Sequence, residues 1–506
     1  MLSWVYSAAV FGLEGRFISV EVDQTQGLPG ITIVGLPDTA VNEAKERIRL
    51  GLKNTGISLP QKRFVINLAP AEVRKMGTAY DVPMALAILK SLEYVDFDPK
   101  ENIILGELAL DGSLRPIQGV LPLILYAKSQ GISHVFLPQA NAYEASLVQG
   151  VTVYGVKHMR DLLEHFNPTE QDLTPQPAYE YMPEVHSHDV DMAHIRGQRV
   201  AKRALEIAAA GGHNLLMTGP PGAGKTLLSR TMPTILPHMT QDEVLDVSQV
   251  HSVAGCLSEE HPLVRTRPFR APHHTASSSS LIGGGSFPKP GEISLAHKGV
   301  LFLDEFPEFP RLVLESLRQP LEDRVVTVSR VQGSVTFPAD FMLIASQNPC
   351  PCGYLTDPDK ECVCSQNQIN RYQQRISGPL LDRIDMIIQV EKVKTEELMT
   401  PQEHQEEAST QIKQRVEQAR ERQLRRFQDT SITTNSEMNV RQIQTLCPLD
   451  SQSQAIITHA IDKLNLSARA YNRVLKLART IADLAEVENI HSNHIAEALQ
   501  YREKST

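Results

Sequence analysis

The sequence contains no apolar run that approaches the ~20 residues a membrane-spanning helix needs, so we expect no membrane partner. Residues 1–18 lack a basic start and already carry Glu14 and Arg16, which argues against a signal peptide. Without an export signal, we expect a cytoplasmic protein.

Basic residues are also fewer than acidic residues. The 50 lysine and arginine residues are outnumbered by 59 aspartate and glutamate residues, which leaves a net charge of −9. The overall charge therefore does not attract nucleic acid, and any contact with it must come from a locally basic surface.

Cysteine is scarce, with six residues in 506, and we expect thiols or metal ligands rather than disulfides. Four cysteines form two C-x-C pairs within fifteen residues: Cys350, Cys352, Cys362 and Cys364. Two close pairs can supply four thiolates to a tetrahedral Zn²⁺, although the usual spacing within a pair is wider. Zinc ligands and reduced, unligated thiols are both open readings.

The chain has no internal repeat and no long low-complexity run, and its 506 residues exceed one compact core. Residues 1–166 mix strand-like runs with helical periodicity, and the proline-containing stretch 167–190 is typical of a linker. An α/β nucleotide-binding region follows at 191–393. Residues 394–506 have only helical signals, which predicts a C-terminal helical domain.

Residues 219–226 read G-P-P-G-A-G-K-T and follow the apolar run 214–218. A strand, a glycine-rich turn and a helix in this order form a phosphate-binding loop of the Walker A type. Lys225 would reach the β- and γ-phosphates of a nucleoside triphosphate, and the Thr226 hydroxyl would hold Mg²⁺. The predicted nucleotide-binding residues of this loop are Gly219, Pro220, Pro221, Gly222, Ala223, Gly224, Lys225, Thr226 and Leu227.

Two further strands are expected to complete the site. The apolar run 300–303 ends in Asp304 and Glu305, at the carboxyl end where parallel sheets place ligands. Asp304 would hold Mg²⁺, and Glu305 would polarise the attacking water as general base. The run 341–346 leads to Asn348, whose amide would orient that water or contact the γ-phosphate.

The order of these motifs resembles AAA+ ATPases, in which Asn348 takes the sensor 1 position. Arg383, just before the apolar run 386–390, resembles the arginine finger that a neighbouring subunit inserts to stabilise the transferring phosphoryl group. The alternative is an arginine paired locally with Asp382 or Asp385.

Two other segments fit the same resemblance. Arg469, at the start of a long amphipathic helix, fits the sensor 2 position, with Arg473 as the competing candidate. Upstream, Ile195, Gly197 and Gln198 resemble the AAA+ segment that wraps the adenine of ATP.

The segments 267–275, 291–299, 348–353 and 375–383 narrow the resemblance to the magnesium-chelatase-like AAA+ proteins of the YifB/ComM family. This resemblance covers essentially the whole chain. It implies a homo-hexameric ATPase that couples ATP hydrolysis to translocation on single-stranded or branched DNA. It further implies a helicase that promotes branch migration in recombination and natural transformation.

The wider clade carries two hairpins that enter the pore of the ring. Here they would lie at 282–291, with Lys289, and at 325–337, with Arg330 beside the turn. Lys289 and Arg330 are the candidate contacts to DNA phosphates. A solvated surface charge is the alternative for each.

The N-terminal region is similar to the Lon protease domain over residues 74–81 and around 105–119. The resemblance implies a Lon-like α+β fold of the ribosomal-protein type. Ala79 stands at the position of the catalytic serine and Leu121 at that of the lysine, and neither side chain can perform that chemistry. We therefore predict a non-proteolytic Lon-like domain, a central AAA+ P-loop α/β domain and a C-terminal helical lid.

Two other functions stay open. One is the motor subunit of a metal chelatase, which acts with partner proteins on a porphyrin. The other is an ATP-dependent protease-like unfoldase, which Ala79 and Leu121 disfavour.

Overall fold

The computed structural model of the chain describes residues 2–167, 172–181, 189–285, 288–330, 333–393, 406–464 and 467–502. The chain divides into two compact units. The first consists of Met1–Met182 and Gln241–Val264, and the second of Pro183–Thr240 and Arg265–Thr506. Parts of the predicted linker, 168–171 and 182–188, lie outside the described residues, as does the predicted start of the lid, 394–405.

The first unit is built on a mixed seven-stranded sheet. The strands of this unit are β1 (Ser3–Phe11), β2 (Glu14–Thr25), β3 (Gly30–Val34), β4 (Arg63–Ala69), β5 (Asn102–Ile104), β6 (Glu107–Leu108), β7 (Leu114–Arg115), β8 (His134–Pro138) and β9 (Thr152–Val156). The order in the sheet is β3-β4-β2-β1-β5-β8-β9, and β6 pairs with β7 separately. Its helices are Thr39–Asn54, Asp81–Ser91, Val120–Ser129, Gln139–Ala145, Met159–His165 and Gln241–Ala254.

The helix Thr39–Asn54 shows why the sequence folds as it does here. The Asp38 side chain accepts a hydrogen bond from the backbone N–H of Val41 at 2.8 Å and caps the first turn. Val41, Ala44, Ile48 and Leu52 recur at helical spacing and are all buried. These apolar side chains belong to the core that covers one face of the sheet.

The segment Gln241–Val264 belongs to the first unit, whereas the sequence analysis placed it inside the ATPase region. The Ser252 hydroxyl donates to the buried carboxylate of Glu144 at 2.5 Å. Gln249 Nε2 donates to the carbonyl of Leu13 at 2.9 Å, and the N–H of Gly119 donates to the carbonyl of Ser252. Long-range hydrogen bonds of this kind leave no local pattern in the sequence.

The second unit contains a five-stranded sheet and two hairpins. Its strands are β10 (Leu215–Thr218), β11 (Phe269–Arg270), β12 (Gly283–Gly284), β13 (Lys289–Pro290), β14 (Val300–Leu303), β15 (Val325–Arg330), β16 (Gly333–Pro338), β17 (Met342–Gln347) and β18 (Met386–Gln389). The sheet order is β11-β14-β17-β10-β18, with every neighbouring pair parallel. The carboxyl ends of β14, β17 and β10 therefore lie side by side, which confirms the predicted parallel α/β arrangement.

Helices of the second unit surround this sheet and form a C-terminal bundle. Around the sheet lie Arg199–Gly211, Lys225–Arg230, Met232–Ile235, Ser278–Ile282, Glu292–Leu295, Arg311–Ser316, Arg318–Asp323, Gln366–Gln373 and Gly378–Leu381. The C-terminal bundle consists of Ser409–Arg426, Val440–Leu446, Ser451–Leu464, Ala468–Leu484 and Ser492–Gln500. Among the described residues, no helix has the length and apolar character that crossing a membrane requires.

A buried charge cluster joins the helices of the C-terminal bundle. The Asp483 carboxylate, whose side chain is 1% exposed, pairs with Arg426 and with Arg479 at 3.1 Å. The amide of Asn435 also donates to Asp483 at 2.8 Å. Each charge is compensated only by the others, because little solvent reaches them.

We expect Asp483→Ala to destabilise the folded protein by about 3–5 kcal/mol, since it leaves the buried guanidinium of Arg479 and the partly buried one of Arg426 without their carboxylate. The matched control is Glu421→Ala, which removes an exposed partner of Arg425 on the same bundle and should cost about 1 kcal/mol or less. Denaturant unfolding followed by circular dichroism measures both. Equal losses of stability in the two variants would contradict this assignment.

Candidate nucleotide-binding site

The phosphate-binding loop connects β10 to the helix that begins at Lys225. Gly222 and Gly224 have φ angles of 80° and 86°, in the left-handed region that favours glycine. A Cβ on Gly219 would lie 2.2 Å from the carbonyl oxygen of Val390, so this position requires glycine for a different reason. The loop therefore has the backbone curvature that turns N–H groups toward an anion.

Lys225 lies inside the loop and is 8% exposed. Its Nζ donates to the carbonyls of Gly219 at 2.6 Å and Pro220 at 3.0 Å, and to Asn348 Oδ1 at 3.2 Å. Burial lowers the pKa of Lys225, while the two acidic residues after β14 oppose that shift. The structure thus brings together the predicted lysine and the predicted sensor amide, which are 123 residues apart in the sequence.

The predicted magnesium ligands also meet. Thr226 Oγ1 donates to Asp304 Oδ2 at 2.7 Å, and the Ser346 hydroxyl donates to the other carboxylate oxygen of Asp304. A hydroxyl and a carboxylate are oxygen ligands of the kind Mg²⁺ prefers, so Thr226 and Asp304 fit this metal. Sequence reasoning missed Ser346, a polar residue inside an otherwise apolar strand.

Glu305 follows Asp304 in a left-handed conformation with φ of 53°, which is uncommon for a residue with a side chain. Its N–H donates to Asp304 Oδ1 at 3.0 Å, and its half-exposed carboxylate lies 3.3 Å from Nδ1 of His274. The His274 ring stacks beside that of His273 at 4.1 Å between centroids. Sequence reasoning assigned no catalytic role to His274, because only the fold places it against Glu305.

The predicted adenine segment is hydrogen-bonded to the phosphate-binding loop. Gln198 has a φ angle of 53°, and its Nε2 donates to the carbonyl of Ala223 at 3.3 Å. Ile195 is buried, and the N–H of Gly197 donates to Glu406 Oε1 at 2.9 Å. The adenine-binding role of the segment stays a prediction.

Arg383 is held by partners that the sequence analysis did not name. Its side chain is 13% exposed, pairs with Glu322 and donates to the carbonyl of Pro379 at 2.6 Å. The local partners considered for it are otherwise engaged. Asp385 accepts a hydrogen bond from the N–H of Asn214, and Asp382 faces Arg473.

The structure separates the two sensor 2 candidates. Arg473 is buried, donates to the carbonyl of Ile384 at 2.9 Å and lies 3.8 Å from Asp382. Arg469 is exposed on the first turn of Ala468–Leu484. Arg473 therefore contributes to packing between the lid and the sheet, whereas Arg469 has an accessible guanidinium.

The two C-x-C pairs form one cluster, in which the four sulfurs lie within 4.8 Å of one another. Cys350 Sγ is 3.4 Å from Cys352 Sγ and 3.6 Å from Cys362 Sγ, and the N–H of Cys352 donates to Cys364 Sγ at 3.4 Å. A disulfide needs about 2.05 Å, whereas thiolates around a tetrahedral Zn²⁺ lie about 3.8 Å apart. The donor set fits zinc.

The two hairpins expected to contact DNA are both present. Lys289 lies exposed on β13, which pairs with β12, and β15 pairs with β16 from Val325 to Pro338. Arg330 ends β15, and residues 331–332, which follow it, lie outside the described part of the chain. DNA binding by Lys289 and Arg330 stays a prediction.

Comparison with known proteins decides the family. A family model described as magnesium chelatase, subunit ChlI, matches residues 191–398, and two related ChlI models match 20–141 and 406–502. Competence protein ComM of Haemophilus influenzae is 41% identical over 507 residues, covering 99% of this chain and 97% of the relative. Protein YifB of Escherichia coli is 38% identical over 502 residues, with the same coverage. The chain belongs to the magnesium-chelatase-like YifB/ComM family.

Membership of this family implies an AAA+ ATPase that uses ATP and Mg²⁺. The residues fit both ligands, since Lys225 and the glycine turn surround the phosphate position and Thr226 and Asp304 offer oxygen ligands. Mg²⁺, when bound there, would neutralise charge on the phosphate oxygens.

The chain has a second, partial similarity. Lon protease of Mycolicibacterium smegmatis is 31% identical over 140 residues, which is 26% of this chain and 18% of that protein. Ala79 and Leu121 occupy the positions that the sequence analysis aligned with the serine and lysine of Lon. Thr78, next to Ala79, donates its hydroxyl to Glu107, which also lies 3.5 Å from Arg115. A carboxylate partner alone does not replace the missing lysine.

His274→Ala should lower the rate of ATP hydrolysis on the order of tenfold, because Glu305 loses the ring that orients its carboxylate. Nucleotide affinity should stay unchanged. His273→Ala is the matched control, since the neighbouring ring bonds Thr275 instead. Steady-state phosphate release and binding of a fluorescent ATP analogue measure the two quantities. If both variants hydrolyse ATP equally fast, His274 does not position Glu305.

Proposed function

We propose that the protein is a homo-hexameric ATPase that couples ATP hydrolysis to translocation on single-stranded or branched DNA. On this proposal it acts as a helicase in branch migration during recombination. The observation that carries the proposal is the convergence of Lys225, Thr226, Asp304 and Asn348 at one edge of a parallel sheet. The name of the relative ComM, a competence protein, and the two hairpins of the second unit support the DNA substrate.

Each residue has one task in the proposed reaction. Lys225 exchanges its bonds to the loop carbonyls for bonds to the β- and γ-phosphate oxygens. Thr226 and Asp304 hold the metal, and Asn348 orients the attacking water. Glu305 accepts the proton of that water as it attacks the γ-phosphorus.

The remaining charge stabilisation comes from a second subunit. Arg383 would leave Glu322 and reach the γ-phosphate bound by the neighbouring protomer, as an arginine finger does. In the protomer that binds this nucleotide, Arg469 is exposed on the lid and would contact the same γ-phosphate. On this proposal, ATP hydrolysis requires that neighbouring subunits assemble into a ring.

Arg383→Ala should retain ATP binding and lower hydrolysis by about 10³-fold or more, because it removes a charge needed only in the transition state. Arg375→Ala is the control, since Arg375 forms a comparable ion pair with Glu308 nearby. Mixing Arg383→Ala with Lys225→Ala protomers should restore part of the activity, since some interfaces then combine an intact loop with an intact finger. A mixture as inactive as its components would contradict a finger acting between subunits.

The DNA substrate is tested by salt dependence. Changing both Lys289 and Arg330 to alanine should weaken binding to all DNA sequences and reduce the dependence of affinity on salt, because phosphate contacts release counterions. The control changes Arg49 and Lys100, two exposed charges of the first unit. Fluorescence anisotropy with single-stranded and branched DNA measures both pairs. ATPase rates indifferent to DNA, with no binding at low salt, would exclude the translocase.

That negative outcome would favour the second candidate, a chelatase-type motor subunit that acts on a protein or porphyrin complex. The three matching family models, all described as the ChlI subunit of magnesium chelatase, favour this alternative. A protease-like unfoldase is disfavoured, because Ala79 and Leu121 cannot form a catalytic dyad. We propose instead that the first unit is a non-proteolytic Lon-like domain.

We also propose that Cys350, Cys352, Cys362 and Cys364 bind one structural Zn²⁺ per chain. The four sulfurs already lie close to the separation a tetrahedral thiolate site requires. A closed set of four protein ligands leaves no open position for catalysis, which is typical of a structural site.

A further inference from the structure

The turn that holds the cysteine cluster packs against the phosphate-binding loop. Gly353, directly after Cys352, has a φ angle of 85°, and its N–H donates to the carbonyl of Cys350 at 3.0 Å. A Cβ added to Gly353 would lie 2.6 Å from Cδ and 2.7 Å from Cγ of Pro221. The contact is therefore so close that not even a methyl group fits between the turn and the loop.

The same turn also lies near the sensor amide. The Cβ position of Gly353 is 3.8 Å from Cγ of Asn348, which lies two residues before Cys350 in the chain. Asn348 in turn accepts the hydrogen bond from Lys225 Nζ. One turn of backbone thus packs against the phosphate-binding loop and lies near the side chain that bonds its lysine.

Little else in the local structure orders this turn. The residues from Pro351 to Cys364 form no helix or strand, and the helix Gln366–Gln373 begins only after the last cysteine. Asp359 pairs with Lys392 at 2.7 Å, but both side chains are exposed, so this pair contributes little. A metal bound by four residues of such a segment supplies the constraint that secondary structure does not.

We propose that the zinc cluster clamps the phosphate-binding loop, through the contact of Gly353 with Pro221, in the conformation that accepts a nucleoside triphosphate. This inference rests on the zinc site proposed above and adds that metal occupancy sets nucleotide affinity. A clamped loop binds phosphate without first losing conformational freedom. Because coupling between two sites is reciprocal, bound nucleotide must also raise the affinity for zinc by the same factor.

The first experiment uses the full-length protein with Mg²⁺ in excess throughout. Zinc per chain is measured by plasma mass spectrometry, and affinity for a fluorescent ATP analogue is measured before and after a zinc-selective chelator and again after zinc is restored. We expect about 5–150-fold weaker binding without zinc, with recovery on its return. We also expect the analogue to raise, by the same factor, the chelator concentration that removes half of the zinc at equilibrium.

The outcomes separate the proposals. Purified protein that holds no zinc would overturn the zinc site itself. Protein that holds zinc, but binds the analogue equally well with and without it, would overturn the clamp and leave the zinc site intact. Absence of binding in the zinc-loaded protein would instead contradict the nucleotide site.

The second experiment isolates the contact. Gly353→Ala should keep its zinc and raise the KM for ATP more than it lowers kcat, because the added methyl displaces Pro221 and with it the loop. Gly150→Ala is the matched control, since Gly150 has a nearly equal φ of 84° in the first unit and only the Lys128 side chain near its Cβ position. It should leave KM unchanged.

Rescue distinguishes the clamp from general damage. Pro221→Ala removes the Cγ and Cδ atoms that the new methyl would meet, so the double variant should regain part of the affinity lost in Gly353→Ala. Purely additive effects of the two changes would overturn the clamp. If Gly353→Ala does not fold, the chelation experiment decides by itself.

Discussion

The carboxylate of Asp304 joins the elements from which the candidate site is built. One of its oxygens accepts from Thr226, on the helix after β10, and the other from Ser346, inside β17. Asp304 itself follows β14, so three adjacent strands meet at this one side chain. Loss of this carboxylate would disconnect the phosphate-binding helix from both neighbouring strands as well as remove a magnesium ligand.

The parts of the fold predicted from sequence are those with a strong local signal. The long amphipathic helix that was expected to start near Arg469 is Ala468–Leu484, and Thr39–Asn54 carries the same kind of signal. Each combines a buried stripe at helical spacing with a side-chain cap, from Asp38 and from Ser467. The strands β10, β14, β17 and β18 were predicted because short, mostly apolar runs are typical of strands buried on both faces.

Other elements were missed for identifiable reasons. The strand Ser3–Phe11 has three consecutive buried residues, Ser7, Ala8 and Ala9, so it shows no clear alternation. Glu14–Thr25 does alternate, with Ile18, Val20 and Val22 buried, and this signal would have identified it. The sequence analysis named the loop lysine, the magnesium ligands and the sensor amide, because each lies in a short motif. It missed Ser346, His274 and Glu322, since only the folded chain places these residues beside their partners.

The return of Gln241–Val264 to the first unit has a consequence for how the protein is made. A ribosome synthesises Pro183–Thr240, including the phosphate-binding loop, before it reaches the last piece of the first unit. The hydrogen bonds of Glu144 with Ser252 and of Leu13 with Gln249 therefore cannot form until part of the ATPase has been synthesised. The amino-terminal unit is not complete at residue 182, and a fragment cut there lacks a helix of its own fold. The first unit therefore begins first in the sequence but is completed only after part of the second unit has been synthesised.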